Sequence, residues 1–450
     1  MNVRPGIIII GLLACATNVQ SQDEMVKDTV YSLSAKQCVD FAAKNNLQVK
    51  NAIVDLKEAE QTNRSYTAQA LPNIAASGNI TDYLKIPTNL LPGEFFGQPA
   101  GTFIPVKFGT QYNASASVTL QQVVFDGQVF VALQARKTAI DFYSKSVDVI
   151  LENVKANIYK VYYQLAASKT QIAQIDANID RLTKLEHDAN ELFKNGFGEK
   201  IDVDKASVQL TNLRTEKQSA ETQIANGYLG LKFLMGMPVK DSLILTDTIS
   251  DEKIKEGLLA EGVFDYKNRV EYQYAEIGKR LNEYNVKRYK LSAIPSLRLN
   301  GDYTKNAQRT KFDIFGKGDW FTTAYVGLSL NIPIFDGFLR KSNLEKAKLD
   351  VQKSNNQLDD LKISIDKEVA EAINNFQTAI NTLDYQKKNI ELAEKVYEQS
   401  KKKYEIGTGS TTEITNAQTD LRVAQTNYIN ALYTAIIARV DYLKATGKLD

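Results

Sequence analysis

One histidine, His187, and two cysteines, Cys15 and Cys38, are all that 450 residues offer toward a His/Cys metal site or a cysteine nucleophile paired with an imidazole. His187 stands between Glu186 and Asp188 in a helical stretch and reads as a solvated residue, and Cys38 reads as a small helix residue. Acids are plentiful, but they form no Ser/His/Asp, metal or phosphate-loop constellation, so no catalytic residue, metal or cofactor is assigned. Two acids do recur in one context: Asp126-Gly127 after Val124-Phe125, and Asp336-Gly337 after Ile334-Phe335. A carboxylate suits a helix N-terminus, where it accepts backbone N–H groups and complements the dipole. Gly127 and Gly337 would permit a sharp redirection, and Pro333, lacking a donor, would end sheet pairing just before the second of these junctions. The chemistry on offer there is capping.

The rest of the composition points away from nucleic acid. Lys and Arg number 55 against 53 Asp and Glu, a formal net charge of +2, spread evenly and without a clustered basic face. Nine prolines fit a chain of long uninterrupted helices, since proline removes a donor and clashes with the preceding turn. At the N-terminus, Arg4 precedes the apolar run Ile7 to Ala16 and the polar stretch Thr17 to Gln22, which is too short to span a bilayer and reads as a secretory signal cleaved near Gln20 to Gln22. Lipobox-like processing at Leu12-Leu13-Ala14-Cys15 is the alternative and would leave Cys15 lipidated. No later run of about 18 apolar residues occurs, so any membrane insertion must use strands.

The chain repeats itself. Ser117-Val118-Thr119-Leu120 with Val124-Phe125-Asp126-Gly127 returns roughly 210 residues later as Gly327-Leu328-Ser329-Leu330 with Ile334-Phe335-Asp336-Gly337. Phe193 to Gly198 returns as Tyr404 to Gly409, and Leu71-Pro72 as Ile294-Pro295. The expected organisation is a signal over 1–22, a first structural repeat over 23–237 with a strand pair at 72–124, a linker over 238–261, and a second repeat over 262–450 with a strand pair at 295–335. Between Gly127 and Gly196, and again between Phe338 and Ile406, there is neither proline nor glycine. Each stretch of about 70 residues would make a helix of roughly 100 Å. After the Gly196 and Gly407 turns the apolar residues step by three and four: Val203, Ala206, Leu210, Leu213 in one half and Ile414, Ala417, Leu421, Ala424, Tyr428, Ala431, Ala435 in the other. Ile175, Ile179, Leu182, Ala189 and Leu192 give the long helix a matching seam, so each turn should join an antiparallel helix pair.

Helical periodicity alone would suit a secreted structural or adhesive coiled coil. The strands argue otherwise. Tyr112, Ala114, Ala116, Val118 and Leu120 alternate with Gln111, Asn113, Ser115, Ser117 and Thr119, and the same pattern runs from Thr323 to Ile332. Period two over about 10 residues fits a strand with one face in lipid and the other in water. Looser partners run from Asn73 to Ile80 and from Leu297 to Tyr303, joined by aromatic loops at Pro87 to Phe108 and Thr304 to Phe321. Trp320 and Phe321 are read as an interfacial aromatic belt, with packing of the loop as the alternative. Four strands per chain cannot close a barrel, and lipid tolerates no open sheet edge. Two copies would give a filled eight-stranded barrel and three a twelve-stranded one with a pore, which the polar inner face favours.

Taken in order and in duplicate, several segments make the chain similar to the TolC-type outer-membrane efflux family. They are Leu33-Ser34-Ala35 to Leu47, Phe125-Asp126-Gly127, Ile332 to Gly337, and Tyr404 to Gly409 followed by Glu413-Ile414 and Ala417-Gln418. The resemblance implies an α+β membrane protein: a homotrimer with a twelve-stranded transmembrane β-barrel, four strands per protomer, continued by a long coiled-coil α-helical barrel through the periplasm. It implies docking to a periplasmic adaptor protein and an inner-membrane pump. It implies passive conduction of efflux or type I secretion substrates, and no enzyme.

By the same resemblance, the turns at Gly196, Gly198, Gly407 and Gly409 lie at the periplasmic entrance, where an adaptor contacts the tips. Asp202 and Glu413 match the acids of a constricting carboxylate ring, and Tyr404 matches the family's gate tyrosine. The match departs where Asn416 stands in place of a second acid and Gly409 in place of a basic tether. Three copies of Asp202 and Glu413 would bring six carboxylates near one axis and attract cations.

Overall fold

A computed structural model describes residues 30–247, 249, 254–255 and 264–449. The signal at 1–22, Cys15 and much of the linker at 238–261 lie outside the described residues. A short strand β1 (Val30–Leu33) leads into α1 (Ala35–Asn45) and α2 (Leu47–Ala68). Ser34 and Gln37 form a reciprocal capping box at α1. Asn46 separates the two helices, its Oδ1 accepting the Gln48 and Val49 N–H groups. Strands β2 (Asn73–Asp82), β3 (Thr88–Pro92), β4 (Phe103–Lys107) and β5 (Tyr112–Phe125) follow.

Helix α3 (Gly127–Lys194) runs unbroken for 68 residues, or about 100 Å, before α4 (Lys200–Met235) and β6 (Ser242–Leu245). The second half supplies α5 (Val270–Leu291), β7 (Ser296–Arg309), β8 (Phe321–Asn331), the 67-residue α6 (Leu339–Glu405) and α7 (Thr411–Ala445). Helix α4 packs along α3, α7 along α6, and α3 along α7, while α2 and α5 fill in beside the long helices.

Most of the stepping residues are buried, Val203 and Ile179 being half-buried. Ala206, Leu210, Leu213, Ile414, Ala417, Leu421, Ala424, Ala431 and Ala435 are all buried, with Tyr428 packed at the edge. Alanine in so many seam positions lets the helices approach closely. Leu192, counted on the seam of α3, is exposed, because the seam has run out one turn before the tip.

A second core gathers Cys38, Ile158, Tyr162, Leu231 and Met235 around the parallel pair β1–β6. There Tyr162 donates to Leu33 O at 3.1 Å and accepts the Asp247 N–H at 3.0 Å. Cys38 is fully buried, and burial, with Asp247 adding to it, pushes its thiol pKa up to about 12, so it is inert. Gly236 closes α4 at φ +68°, and a Cβ there would sit 2.3 Å from Asn45 O. Gly236→Ala is therefore expected to cost about 3 kcal/mol through left-handed strain and the clash together. Gly407→Ala, also left-handed but facing open space, should cost only about 1 kcal/mol. Comparing thermal loss of far-ultraviolet helical signal in the two variants checks this, and equal losses would refute it.

The four long strands form one antiparallel sheet in the order β2-β5-β7-β8. Its register settles the faces. The rows Ile80–Ala114–Ala307, Gly78–Ala116–Lys305–Thr322, Ala76–Val118–Tyr303–Ala324 and Ile74–Leu120–Gly301–Val326 carry most of the apolar side chains on one face. The other face holds Asn79, Ser77, Ser117, Thr119, Asp302, Asn300 and Ser329. It is linked by Ser77 Oγ to Ser117 Oγ at 2.8 Å and by Asn300 Nδ2 donating to Ser329 Oγ at 2.7 Å. The apolar face is uncovered over most of its length: Ile74 is 70%, Val326 76% and Leu328 66% exposed.

Two loop expectations change. Pro87 to Phe108, read as a loop, folds into the β3–β4 hairpin. Trp320 takes the packing role, half-buried against Ala114, Ala307 and Ile314, while Phe321 remains exposed.

Candidate functional site at the helix tips

Each long helix ends in the same backbone device. In the first turn the Gly196 N–H donates to Phe193 O at 3.0 Å and the Phe197 N–H to Leu192 O at 2.9 Å. In the second, Gly407 donates to Tyr404 O at 3.0 Å and Thr408 to Lys403 O at 2.9 Å. These are Schellman closures, and both Gly196 and Gly407 take φ +78°, which glycine adopts without a Cβ penalty. Gly198 and Gly409 have a different reason. A Cβ would meet Leu192 Cβ at 3.1 Å in one case and Lys403 Cβ at 3.0 Å in the other, so the chain reverses too tightly for a side chain. Ser410 caps α7 by accepting the Glu413 N–H at 3.1 Å.

Asp202 stands in the first turn of α4 and Glu413 in the first turn of α7, equivalent places beside the two reversals. Their surroundings differ. Glu413 is drawn to Lys403, Oε1 to Nζ 3.0 Å, a pair that bridges the turn with both side chains well exposed. Asp202 has no ion pair among the described residues. It lies close enough to Tyr404 that its charge, with that of Asp188, adds to the burial that raises the Tyr404 pKa, against a lowering influence of the Thr411 hydroxyl. Tyr404 Oη is buried, without a hydrogen bond of ordinary length and angle, and its ring packs beside Tyr397 and Ile414. The structure thus groups Tyr404 with Asp202 and Asp188, and separates Glu413 into a lysine-paired corner.

Sequence reasoning missed Lys403. Its ten-residue separation from Glu413 matches no helical period, but a lysine in the last turn before a Schellman closure faces the first turn of the returning helix. Also unforeseen is a polar layer above the tip. Asn178 Nδ2 donates to Gln425 Oε1 at 2.7 Å in a buried setting, and Arg181 donates to Asn178 Oδ1 at 2.8 Å. Gln418, 4% exposed, leaves both its amide atoms unpaired beside a cavity of about 150 Å³ lined by Asn178, Gln209, Asn212 and Arg422. Buried amides are costly unless hydrated, so this void suits ordered water. Heptad counting sees only that these positions lie on the seam.

The strand–helix junctions are structural. Asp126 caps α3 by accepting the Gln128 N–H at 2.9 Å. Gly127 is needed for a reason other than redirection. Its φ is not left-handed, and instead a Cβ would meet Leu291 O at 2.8 Å. At the second junction Gly337 is left-handed at φ +63°, and so is Phe338 at φ +67°. Asp336 Oδ2 accepts both the Arg340 backbone N–H at 3.0 Å and Nε at 2.7 Å, and Pro333 O accepts from Arg340 Nη1 at 3.0 Å. Strand β8 has already ended at Asn331. His187 is exposed, and among the described residues no cluster of His, Cys, Asp and Glu could hold a metal.

A sheet with one apolar and one polar face is thus set on two long helices of about 100 Å, each reversing at a glycine turn into a shorter partner helix. Residues 267–448 match the sequence model described as outer membrane efflux protein. Protein CyaE of Bordetella pertussis is 25% identical over 355 residues, covering 76% of this chain and 72% of that one. Outer membrane protein TolC of Escherichia coli is 21% identical over 357 residues, covering 76% and 71%. The solved structure of CusC superposes with a TM-score of 0.75 over 92% of each chain at 15% identity, and shows the same fold. Over about three quarters of its length the chain is thus similar in sequence to CyaE and TolC, its C-terminal part matches the outer membrane efflux protein model, and it shares the CusC fold. No helix among the described residues is long and apolar enough to cross a membrane.

Proposed function

We propose that this chain is the outer-membrane exit duct of a tripartite efflux or type I secretion system, passively conducting what an inner-membrane pump delivers through a periplasmic adaptor. One observation carries the reading: the four-stranded sheet has two open edges, β2 and β8, and an uncovered apolar face. Open edges cannot stand in hydrocarbon. Alternation along the sheet makes β2 and β8 antiparallel to each other, so β8 of one copy can pair with β2 of the next, and three copies close a twelve-stranded barrel.

Helices agree with this closure. Val208, Leu229 and Phe233 on α4 and Ile363, Tyr385 and Leu392 on α6 are apolar and exposed on the outer helices of the protomer, where neighbouring copies would meet. The halves at 23–237 and 262–450, joined by 238–261, then act as two quasi-equivalent staves of a periplasmic tube. The turns at Gly196, Gly198, Gly407 and Gly409 form its entrance and the adaptor's contact. A purely structural coiled coil would have no use for the exposed apolar sheet face.

Asp202, Glu413 and Tyr404 are the gate residues in this reading, three copies of each surrounding the axis. Six carboxylates at a constriction favour cations. Since Lys403 offsets part of the Glu413 charge and Asp202 has no ion pair among the described residues, removing the Asp202 charge should weaken cation selectivity more than removing Glu413. Reconstitution in planar bilayers tests both levels. Discrete cation-selective conductance that falls toward non-selectivity in Asp202→Ala, and changes less in Glu413→Ala, is expected. Equal selectivity in all three proteins would remove the gate assignment, and folded trimer without conductance would remove the duct.

A further inference from the structure

On the apolar sheet face the outermost row is Asp82–Tyr112–Arg309, at the end away from the helices. Between that rim and the inner end, one charged strand residue shares the apolar face: Lys305. The register places it beside Ala116 on β5 and Thr322 on β8, with Gly78 beyond Ala116. Those side chains are the smallest of any row on the face, so the surface is dented there. The dent has a volume of about 350 Å³ and is lined by Ala76, Gly78, Ala116, Val118, Tyr303 and Lys305, with Ser77 and Ser117 between them. Just above it the segment carrying Ile314 and Trp320 folds over Ala114 and Ala307 and gives the dent a roof. Lys305 is exposed and has no hydrogen bond or ion pair among the described residues. The nearest acid on the face, Asp82 on the rim, is engaged by Gln111 Nε2 at 3.1 Å.

A bare ammonium on a lipid-facing wall is costly, by about 2–4 kcal/mol at the midplane and about 0–1 kcal/mol near the interface. Lys305 lies four residues below the rim, or roughly 13 Å along the strand and about 10 Å along the membrane normal for a tilted strand. A lysine stem can carry its charge several ångströms outward from there, to the level of lipid phosphates. The surrounding segments are close to balanced, 83–111 and 310–320 holding Lys85, Lys107, Lys311 and Lys317 against Glu94, Asp313 and Asp319, so the cation on this face is Lys305 itself. Arg309 at the rim is held by the Gln308 and Asp319 carbonyls, and its Nη2 is buried, so it does not compete with Lys305 for a headgroup.

We propose that the dent and Lys305 form a binding site, one per protomer, for a phosphate-bearing anionic lipid of the outer leaflet, an acyl chain lying over Gly78 and Ala116 and the phosphate meeting the Lys305 ammonium. This rests on the exit-duct reading, in which the apolar face meets lipid. Small residues give the chain a seat, Val118 and Tyr303 bound it, and the lysine supplies the charge the headgroup needs. A free phosphate has no use for the apolar seat, and a zwitterionic lipid gains little from the lysine.

The test is native mass spectrometry of the full chain in mild detergent, with bisphosphorylated lipid A as probe and phosphatidylcholine as control. Trimer carrying retained lipid A, and little phosphatidylcholine, is expected. Lys305→Gln should weaken lipid A retention roughly fivefold, the worth of one cation at a membrane surface, with Lys305→Arg restoring it. Ala116→Phe, which fills the seat without touching the charge, should weaken it as well. Retention unchanged in both Lys305→Gln and Ala116→Phe overturns the site, as does equal retention of phosphatidylcholine or displacement by inorganic phosphate alone. A trimer that binds no lipid overturns this inference and leaves the duct standing, whereas a monomeric, detergent-independent protein overturns the duct itself.

Discussion

Leu328→Lys should abolish trimer formation in the membrane, while Ser329→Lys, one residue along, should leave it assembled with altered conductance. Leu328 is 66% exposed on β8 and pairs with Leu299 across the apolar face, flanked by Val326 and Leu330. It lies three rows deeper than Lys305, beyond the distance over which a lysine stem reaches the outer interface. A cation on the lipid face costs up to about 2–4 kcal/mol at the midplane and less toward either interface, so three copies accumulate at most roughly 6–12 kcal/mol. That rivals the whole stability of an ordinary fold, about 5–15 kcal/mol. Ser329 points to the other face, where it accepts from Asn300 Nδ2 at 2.7 Å. A lysine there loses about 1 kcal/mol of hydrogen bonding and gains water. Heat-modifiable trimer in the membrane fraction is the readout. If the two variants behaved alike, the assignment of faces would be wrong.

What made that prediction possible was visible in the amino-acid order. Alternation from Tyr112 to Leu120 and from Thr323 to Ile332 is a period-two signal, and the register then brings the two strands into one sheet through β7 with their apolar sets on the same side. The helices were legible for a related reason. A stretch of about 70 residues without proline or glycine has few alternatives to continuous helix, and seam residues such as Leu210, Leu213 and Leu421 are the ones with almost no exposed surface. The hairpin β3–β4 was hidden by Pro87, Pro92 and Pro105, which demote a segment to loop when read locally. The structure accommodates Pro92 and Pro105 because a two-stranded ribbon has free edges.

The tip was legible in its backbone and less so in its charges. Glycine pairs mark a tight reversal by themselves, and both Schellman closures follow from them. Which acid would stand alone was not readable, because Lys403 and Glu413 meet across a turn and not along a helix face. The same limit hid Arg269. A lone arginine just after a linker carries no periodic signal, and its three anchors come from segments about 2, 100 and 176 residues away in sequence.

Arg269 is the second position where a single change should have a large effect. Its side chain is 4% exposed. Nε donates to Glu271 Oε2 at 3.1 Å, Nη2 to Glu368 Oε2 at 3.0 Å, and Nη1 to Ala445 O at 3.0 Å. That last carbonyl is one of the orphan acceptors at the C-terminus of α7, where a cation also complements the dipole. One guanidinium therefore ties the start of α5 to α6 and to the end of α7. Arg269→Met keeps the bulk and removes the charge, leaving Glu271, 24% exposed, without its partner. Breaking such a pair costs about 3–5 kcal/mol, and the lower end applies here because Glu368 is half exposed and can rehydrate.

The loss should also depend on pH. Burial raises the pKa of the Glu152 carboxyl, Glu271 raises it further, and Arg269 is the first of the cations that oppose this. An acid whose folded pKa is raised destabilises the fold when charged, so stability falls as pH rises from 4.5, the unfolded value, through the folded value. Without Arg269 the Glu152 pKa climbs further and the penalty at pH 7 grows, while below the unfolded value it vanishes. Thermal unfolding of Arg269→Met should thus show a large deficit at pH 7 that narrows toward pH 5, and adding Glu152→Gln should recover part of the deficit at pH 7. A deficit of the same size at both pH values, unaffected by Glu152→Gln, would mean that Arg269 acts through packing alone and that the carboxylates around it are not electrostatically held.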